Sequence, residues 1–195
     1  MADTYAAEAT RTLHQYGVGL RADPTMQNIP SFQVGRADFI CVYQGRGFYV
    51  EIKNNRKGQK SFALDQFTEK QHEWTNTYAL HSKYNVAVWV WLALGLHPPH
   101  YDGVKYYPRK TWLIPYPAFY NMYQLVSPLC TYLPYKIEPR VKKELQERGY
   151  DAITIFNGWE LEWAGKGSWT IPTDHSFYKQ YISAQPLPLY GETLL

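Results

Sequence analysis

Residues 38–53 read DFICVYQGRGFYVEIK, and this stretch carries the strongest structural signal in the chain. Two runs rich in aromatic and β-branched residues flank Gln-Gly-Arg-Gly at 44–47, which is the pattern of a β-hairpin. Side chains alternate between the two faces of a strand, so a turn with an even number of residues places Asp38, Glu51 and Lys53 on one face. A two-residue turn pairs Asp38 with Glu51, whereas a four-residue turn pairs it with Lys53.

The polar face of this hairpin brings two carboxylates and an amine together, while the other face is apolar. Two carboxylates a few ångström apart repel each other unless a cation lies between them, and hard divalent ions prefer such oxygen ligands. We therefore expect a magnesium site at Asp38 and Glu51. Lys53 can neutralise a phosphate or orient a water, which completes a set suited to phosphodiester hydrolysis. The competing interpretation is an ordinary surface salt-bridge cluster on a half-exposed strand.

The order of the motifs resembles a known group of nucleases. Asp38, followed after twelve residues by Glu-Ile-Lys at 51–53, resembles the PD-(D/E)XK nuclease superfamily. The next segments, Ser-Phe-Ala-Leu at 61–64 and a predicted helix that carries Gln71, resemble the RecU-type Holliday junction resolvases. The resemblance implies a restriction-endonuclease-like core that uses Mg²⁺, with Mn²⁺ able to substitute and with no organic cofactor.

The same resemblance implies roles for individual residues, including a glutamate on the first helix. The implied catalytic residues are Asp38, Glu51, Lys53, Glu8 and Gln71, and the implied metal-binding residues are Asp38, Glu51, Ile52 and Glu8. Two of these have simple alternatives. Glu8 is otherwise a solvent-facing helix residue, and Gln71 is otherwise part of a capping box with Thr68.

Basic residues surround the predicted site. Between positions 36 and 60 the chain has six basic and two acidic residues, a local balance of +4. Such loops supply most of the non-specific affinity for a nucleic-acid backbone. The residues expected to bind DNA are Arg36, Arg46, Arg56, Lys57 and Lys60. A second, weaker basic patch lies at 140–143, and for either patch a merely solvated surface is the alternative.

The rest of the chain is predicted to complete an α/β fold with a central mixed sheet flanked by helices. Helices are expected at 4–16, 67–81, from 117 onward and at 138–148, and strands at 86–94 and 110–116. A hairpin of 152–156 and 159–163 is expected around Asn157-Gly158. We therefore expect one domain, 1–195, with a nuclease core over 1–135 and a C-terminal β-hairpin extension over 136–195 packed on it.

Composition limits the class of protein. The chain has 195 residues and a net charge of +3, which fits one domain and gives weak support for a polyanionic partner. Its longest apolar run, 86–96, is half the length of roughly 20 residues that a membrane helix needs. The N-terminus lacks the pattern of a secretory signal, so we expect a cytoplasmic protein with no membrane partner. Cys41 and Cys130 are too few for a disulfide framework, which predicts reduced thiols.

These features lead us to expect a Mg²⁺-dependent, structure-specific DNA endonuclease, and specifically a Holliday junction resolvase that acts as a homodimer in recombination and repair. Its expected partner is branched or duplex DNA. One alternative is a phage or restriction-type duplex nuclease, and another is a non-catalytic DNA-binding module on the same fold. Four aromatic residues either stack on unpaired bases or belong to the core. They are Tyr101, Tyr106, Tyr107 and Trp112.

Overall fold

A computed structural model of the chain describes residues 3–16, 18–21, 38–43, 46–54, 61–76, 88–94, 110–134, 139–148, 158–172, 174 and 176. Within these ranges the protein has a mixed α/β fold, as predicted. The helices are α1 (Asp3–Tyr16), α2 (Glu69–Thr75), α3 (Tyr116–Val126) and α4 (Pro139–Glu147). No helix in this part of the chain is both long enough and apolar enough to cross a membrane.

The strands are short except for the two that lie at the centre of the main sheet. They are β1 (Val18–Arg21), β2 (Phe39–Tyr43), β3 (Arg46–Asn54), β4 (Ser61–Ala63), β5 (Val88–Leu94), β6 (Lys110–Pro115), β7 (Tyr132–Pro134), β8 (Glu162–Gly165) and β9 (Ser168–Thr170). A 3-10 turn at Leu64–Gln66 follows β4, and Phe67 and Thr68 connect it to α2.

The main sheet has five strands in the order β1-β2-β3-β5-β6. Only β3 and β5 pair in parallel, so the sheet is mixed. A parallel pair needs a crossover connection, and the crossover between these strands contains β4 and α2. This connection brings α2 back to the sheet beside the strand that carries Glu51.

The register of the β2–β3 hairpin resolves the alternative left open by the sequence. Tyr43 lies opposite Arg46 and Phe39 lies opposite Val50, so two residues separate the strands. Continued by one position, this register places Asp38 opposite Glu51. The two-residue turn is therefore confirmed, and the four-residue turn is wrong. β3 begins at Arg46, two residues earlier than predicted, because the short turn lets both strands continue pairing up to it.

Strand β5 forms the centre of the core. All seven of its residues are buried, and it lies between β3 and β6. Helix α3 contacts both β5 and β6, and its buried residues include Phe119 and Met122. Pro117 lies in the first turn of α3, as predicted, because proline needs no N–H donor there. Trp112 is 1% exposed, which confirms its assignment to the core, while Tyr101, Tyr106 and Tyr107 lie outside the described residues.

Residues from the C-terminal third belong to the same core. Leu145 on α4 and Trp159, Leu161 and Trp169 farther along the chain are all buried in it. The predicted pairing across Asn157-Gly158 lies mostly outside the described residues. The antiparallel pair that the structure shows is β8–β9, slightly later in the sequence. Its tight turn uses positive φ angles at residues 165–167, two of which are glycines that adopt them at little cost.

Candidate active site

Asp38 lies at the end of β2 where strand pairing stops. It is exposed and directly precedes Phe39, the first residue of the strand. Its Oδ2 accepts a hydrogen bond from the backbone N–H of Ile52 at 2.7 Å. This contact fixes Asp38 beside the strand that carries Glu51.

Glu51 and Lys53 lie on the same face of β3 and form an ion pair. Lys53 Nζ is 2.7 Å from Glu51 Oε1. Glu51 is only 3% exposed and Lys53 only 8% exposed, so both charged groups are withdrawn from solvent. A surface salt-bridge cluster is therefore the wrong description of this pair. The difference arises because α2 covers the polar face of the hairpin, which the local sequence pattern does not reveal.

Gln71 joins this pair from α2. Its Oε1 accepts a hydrogen bond from Lys53 Nζ at 2.8 Å, and its Nε2 donates to Glu51 Oε1. Gln71 also forms the capping box with Thr68 that the sequence offered as an alternative. The capping box is therefore confirmed, and the same carboxamide also contacts the buried ion pair, while the catalytic role of Gln71 stays a prediction.

Burial controls the protonation of Glu51. Desolvation raises the pKa of this carboxyl from its ordinary value of 4.5 to about 7, and the neighbouring Asp38 charge adds to the increase. The Lys53 charge and hydrogen bonds from Lys53 and Asp38 act in the opposite direction but do not compensate. Burial and the Asp38 charge therefore both disfavour the ionised form of Glu51. A bound cation would offset that effect.

The oxygen donors at this position suit a hard divalent cation. Asp38 and Glu51 supply carboxylates, and the carbonyl of Ile52 points to the same side of β3 as its N–H, which contacts Asp38. Magnesium commonly takes one or two carboxylates and completes its shell with water. In the part of the chain that the structure describes, no group of three histidine, cysteine or acidic side chains is arranged to hold a metal. Two carboxylates and one backbone carbonyl are a donor set that fits Mg²⁺.

Glu8 lies on α1 and is only 2% exposed, so the solvent-facing alternative is wrong. Its Oε2 accepts a hydrogen bond from Trp169 Nε1 at 3.3 Å. The described residues do not place it with Asp38 and Glu51 in a group of three. The metal-associated role of Glu8 stays a prediction. Its contact with β9 was not foreseen, because Trp169 is 161 residues away in the sequence.

Aromatic residues pack against Lys53 on the protein side of the site. Lys53 Nζ lies 5.1 Å from the centroid of the Phe67 ring. His72 packs between Phe67 and Tyr123, with ring centroids at 4.4 and 4.2 Å. Its pKa is lowered from 6.5 to about 4, mainly by burial and also by the Lys53 charge. A neutral imidazole therefore lies beside the buried ammonium group.

The tautomer of His72 follows from its partners. Tyr116 Oη donates to Asn76 Oδ1 at 2.7 Å and lies 3.2 Å from His72 Nδ1. Because the tyrosine hydrogen is used by Asn76, His72 Nδ1 carries the hydrogen and donates to Tyr116. Sequence analysis missed His72 and Tyr116, and the only local signal was that His72 follows Gln71.

The residues expected to bind DNA are mostly outside the described part of the chain. Arg46 begins β3 next to the hairpin turn, and the positions of Arg36, Arg56, Lys57 and Lys60 are not described. In the second basic patch, Arg140 and Lys143 are exposed on α4. Lys143 forms an i,i+4 pair with Glu147 at 3.8 Å, which partly neutralises that patch.

Comparison of the chain with protein-family models and with curated proteins finds no match. The chemistry of the site therefore rests on the geometry of residues 38–53 and of α2.

Proposed function

We propose that this protein is a Mg²⁺-dependent DNA endonuclease on a restriction-endonuclease-like core. The observation that carries the proposal is the buried Lys53–Glu51 pair held by Gln71 beside the exposed carboxylate of Asp38. Burying an ion pair has a considerable desolvation cost, so such a pair is weak evidence for a stabilising role. Because Glu51 and Lys53 are buried while Asp38 is exposed to solvent, the cluster is better suited to reacting with a substrate at Asp38 than to stabilising the fold.

The side chains divide the work of phosphodiester hydrolysis. A magnesium ion held by Asp38, Glu51 and the Ile52 carbonyl would supply Lewis acidity and a water of lowered pKa. Lys53 places a positive charge next to those ligands, where it can orient the attacking water and offset charge that develops on the phosphate. Gln71 holds Lys53 and Glu51 at a fixed separation, so little reorganisation is needed during the reaction.

Branched DNA is the substrate we propose, with a homodimer as the acting species. The resemblance of residues 38–71 to junction resolvases and the basic balance of residues 36–60 both favour it. Symmetric cleavage of two strands needs two symmetric sites, and a two-fold dimer provides them. A duplex nuclease has the same site chemistry and differs in its substrate. A non-catalytic DNA-binding module is less favoured, because Asp38, Glu51 and Lys53 are all present and in contact or adjacent.

The test uses purified protein with four labelled substrates of matched sequence: a four-way junction, a fork, a linear duplex and a single strand. Each is incubated with Mg²⁺ or with EDTA, and the cuts are mapped on sequencing gels. We expect paired, symmetric cuts near the branch point of the junction that require Mg²⁺. Equal cutting of the linear duplex would favour the restriction-type alternative. No cleavage of any substrate, with DNA binding retained, would favour the non-catalytic module.

A further inference from the structure

We infer that Thr68 is a positioning residue of this site, because its hydroxyl fixes the orientation of the Gln71 carboxamide and through it the carboxylate of Glu51. The catalytic consequence rests on the function proposed above. The positioning itself does not, since it follows from hydrogen bonds within the protein. Thr68 lies at the N-cap of α2 and is exposed. It acts on the site only through its contacts with Gln71.

Two obligate donors determine which end of the Gln71 carboxamide faces which partner. Its Oε1 accepts hydrogen bonds from Lys53 Nζ at 2.8 Å and from the backbone N–H of Thr68 at 3.1 Å. An ammonium group and a backbone N–H can only donate. Rotating the carboxamide by half a turn would point its NH₂ group at both of them and remove the acceptor that they share. The Nε2 group must therefore face Glu51, to which it donates.

The Thr68 hydroxyl holds Gln71 at two points. It accepts a hydrogen bond from the backbone N–H of Gln71 at 3.3 Å, and it contacts Gln71 Oε1 at 3.3 Å as a donor. One contact fixes the backbone of Gln71 at the start of α2, and the other fixes its side-chain oxygen. The hydroxyl thus adds one contact to the backbone and one to the side-chain oxygen of Gln71, beside those from Lys53 and from the Thr68 N–H.

The orientation of Gln71 in turn affects Glu51, the proposed metal ligand. Lys53 Nζ and Gln71 Nε2 both contact Glu51 Oε1, so both donors lie on the same carboxylate oxygen. This arrangement turns the other oxygen, Oε2, away from the two donors. If the carboxamide is released, Glu51 loses the Gln71 contact and keeps those from Lys53 and the Asp38 backbone. Removing a residue that hydrogen-bonds to a metal ligand typically lowers metal affinity or activity about 10- to 100-fold.

A purely structural N-cap would lower helix stability without changing the site, so the experiment separates the two roles. Thr68→Ala removes the hydroxyl, and Thr68→Ser retains it. Lys70→Gly is the matched control, because glycine at an exposed position of α2 destabilises the helix to a similar extent while Thr68 and Gln71 stay intact. All variants are studied as the full chain at a temperature where circular dichroism shows them to be folded.

The first measurement is independent of catalysis. Hydrogen exchange of the Gln71 side-chain amide is followed by ¹H–¹⁵N NMR, with the signal assigned by its loss in Gln71→Ala. We expect slow exchange in the wild-type protein, in Thr68→Ser and in Lys70→Gly, and at least 10-fold faster exchange in Thr68→Ala. Equal exchange in Thr68→Ala and Lys70→Gly would overturn the inference.

The second measurement is the Mg²⁺ concentration that gives half-maximal cleavage at saturating DNA. We expect an increase of about 10-fold in Thr68→Ala and a change of less than about twofold in Thr68→Ser and Lys70→Gly. The same increase in Lys70→Gly as in Thr68→Ala would overturn the catalytic consequence. If the wild-type protein does not cleave DNA at all, the proposed function fails, and the exchange measurement alone decides whether Thr68 positions Gln71.

Discussion

Glu51 is the residue on which the interactions of the site converge. Lys53 and Gln71 contact its Oε1, Asp38 lies beside it, and 97% of its surface is hidden from solvent. Its raised pKa, about 7, means that the metal-free site binds a proton at this carboxyl more tightly than an exposed glutamate does. A cation that binds there must displace that proton, so metal binding and proton release are linked.

Replacing either of the two proposed carboxylate ligands tests the reaction directly. Asp38→Asn or Glu51→Gln should each lower the cleavage rate by at least about 100-fold, because the metal ion would lose a charged ligand. Junction binding, measured in Ca²⁺ to prevent cutting, should change little, since neither residue is expected to contact the DNA backbone. Asp65→Asn, which removes an exposed carboxylate next to α2, is the control and should cleave normally. Activity that persists in Asp38→Asn would remove this residue from the site.

The same carboxyl should shape the pH dependence of stability. Folded Glu51 binds its proton more tightly than the unfolded chain, so its contribution to the free energy of unfolding falls as the pH rises from about 4.5 to about 7. His72 has the opposite sign, because its lowered pKa makes stability rise with pH between about 4 and 6.5. In the wild-type protein the contributions of Glu51 and His72 to the pH dependence of the free energy of unfolding oppose each other between about pH 4.5 and 6.5.

Glu51→Gln should remove the falling contribution. In EDTA, the stability of this variant relative to the wild type should therefore increase between pH 4.5 and 7, by an amount on the order of 3 kcal/mol. Urea unfolding at a series of pH values measures it. Glu69→Gln reports the effect of removing an exposed carboxylate from the same region. A constant difference between Glu51→Gln and the wild type across this range would show that Glu51 is not desolvated in solution.

At the scale of elements, the hairpin and α2 show which features a sequence reveals. Alternation along 38–53 predicts the shared face of Asp38, Glu51 and Lys53, because strand geometry depends only on neighbouring residues. The helical spacing of Phe67, Gln71 and Trp74 places Gln71 on the apolar face of the predicted helix, which predicts that it points inward. The burial of the ion pair was not predictable, because it depends on where the crossover returns α2 to the sheet. The β8–β9 pair was not predicted, because Asn-Gly at 157–158 is the stronger turn signal and the glycines at 165 and 167 are a weaker one.

The segment after β3 carries a prediction about DNA binding. If Arg56, Lys57 and Lys60 each neutralise a backbone phosphate, replacing all three with alanine should reduce the slope of log affinity against log salt by about 2 to 3 units. The loss should be similar on a junction and on linear duplex, because phosphate contacts do not read sequence. Fluorescence anisotropy at several salt concentrations measures this slope.

A variant with alanine at 140, 142 and 143 is the matched control for this measurement, since it removes the same number of charges from α4. A larger reduction of the slope in the control than in the loop variant would place the DNA path along α4 instead.

At the scale of the whole molecule, the proposed resolvase activity requires a particular assembly. We expect a dimer of about 46 kDa, twice the chain mass of 22.8 kDa, at micromolar concentration. Sedimentation equilibrium with and without junction DNA tests it, and a heterodimer with one Glu51→Gln subunit should nick the junction on one strand only. A monomer that makes single nicks would favour the duplex nuclease.

The attachment of α1 to the β8–β9 pair has a consequence for how the protein is made. Arg11 Nε donates to the Gly167 carbonyl, the Trp169 N–H donates to Thr12, and the Trp169 indole donates to Glu8, across separations of 156 to 161 residues. At about 5 to 20 residues per second, a ribosome needs roughly 8 to 30 s after it has made α1 to synthesise the β8–β9 residues that α1 contacts. The sheet with Asp38 and Glu51 can assemble during that interval, whereas the buried polar face of α1 must wait. The speed at which the later part of the chain is translated therefore sets how long α1 remains exposed to chaperones and proteases.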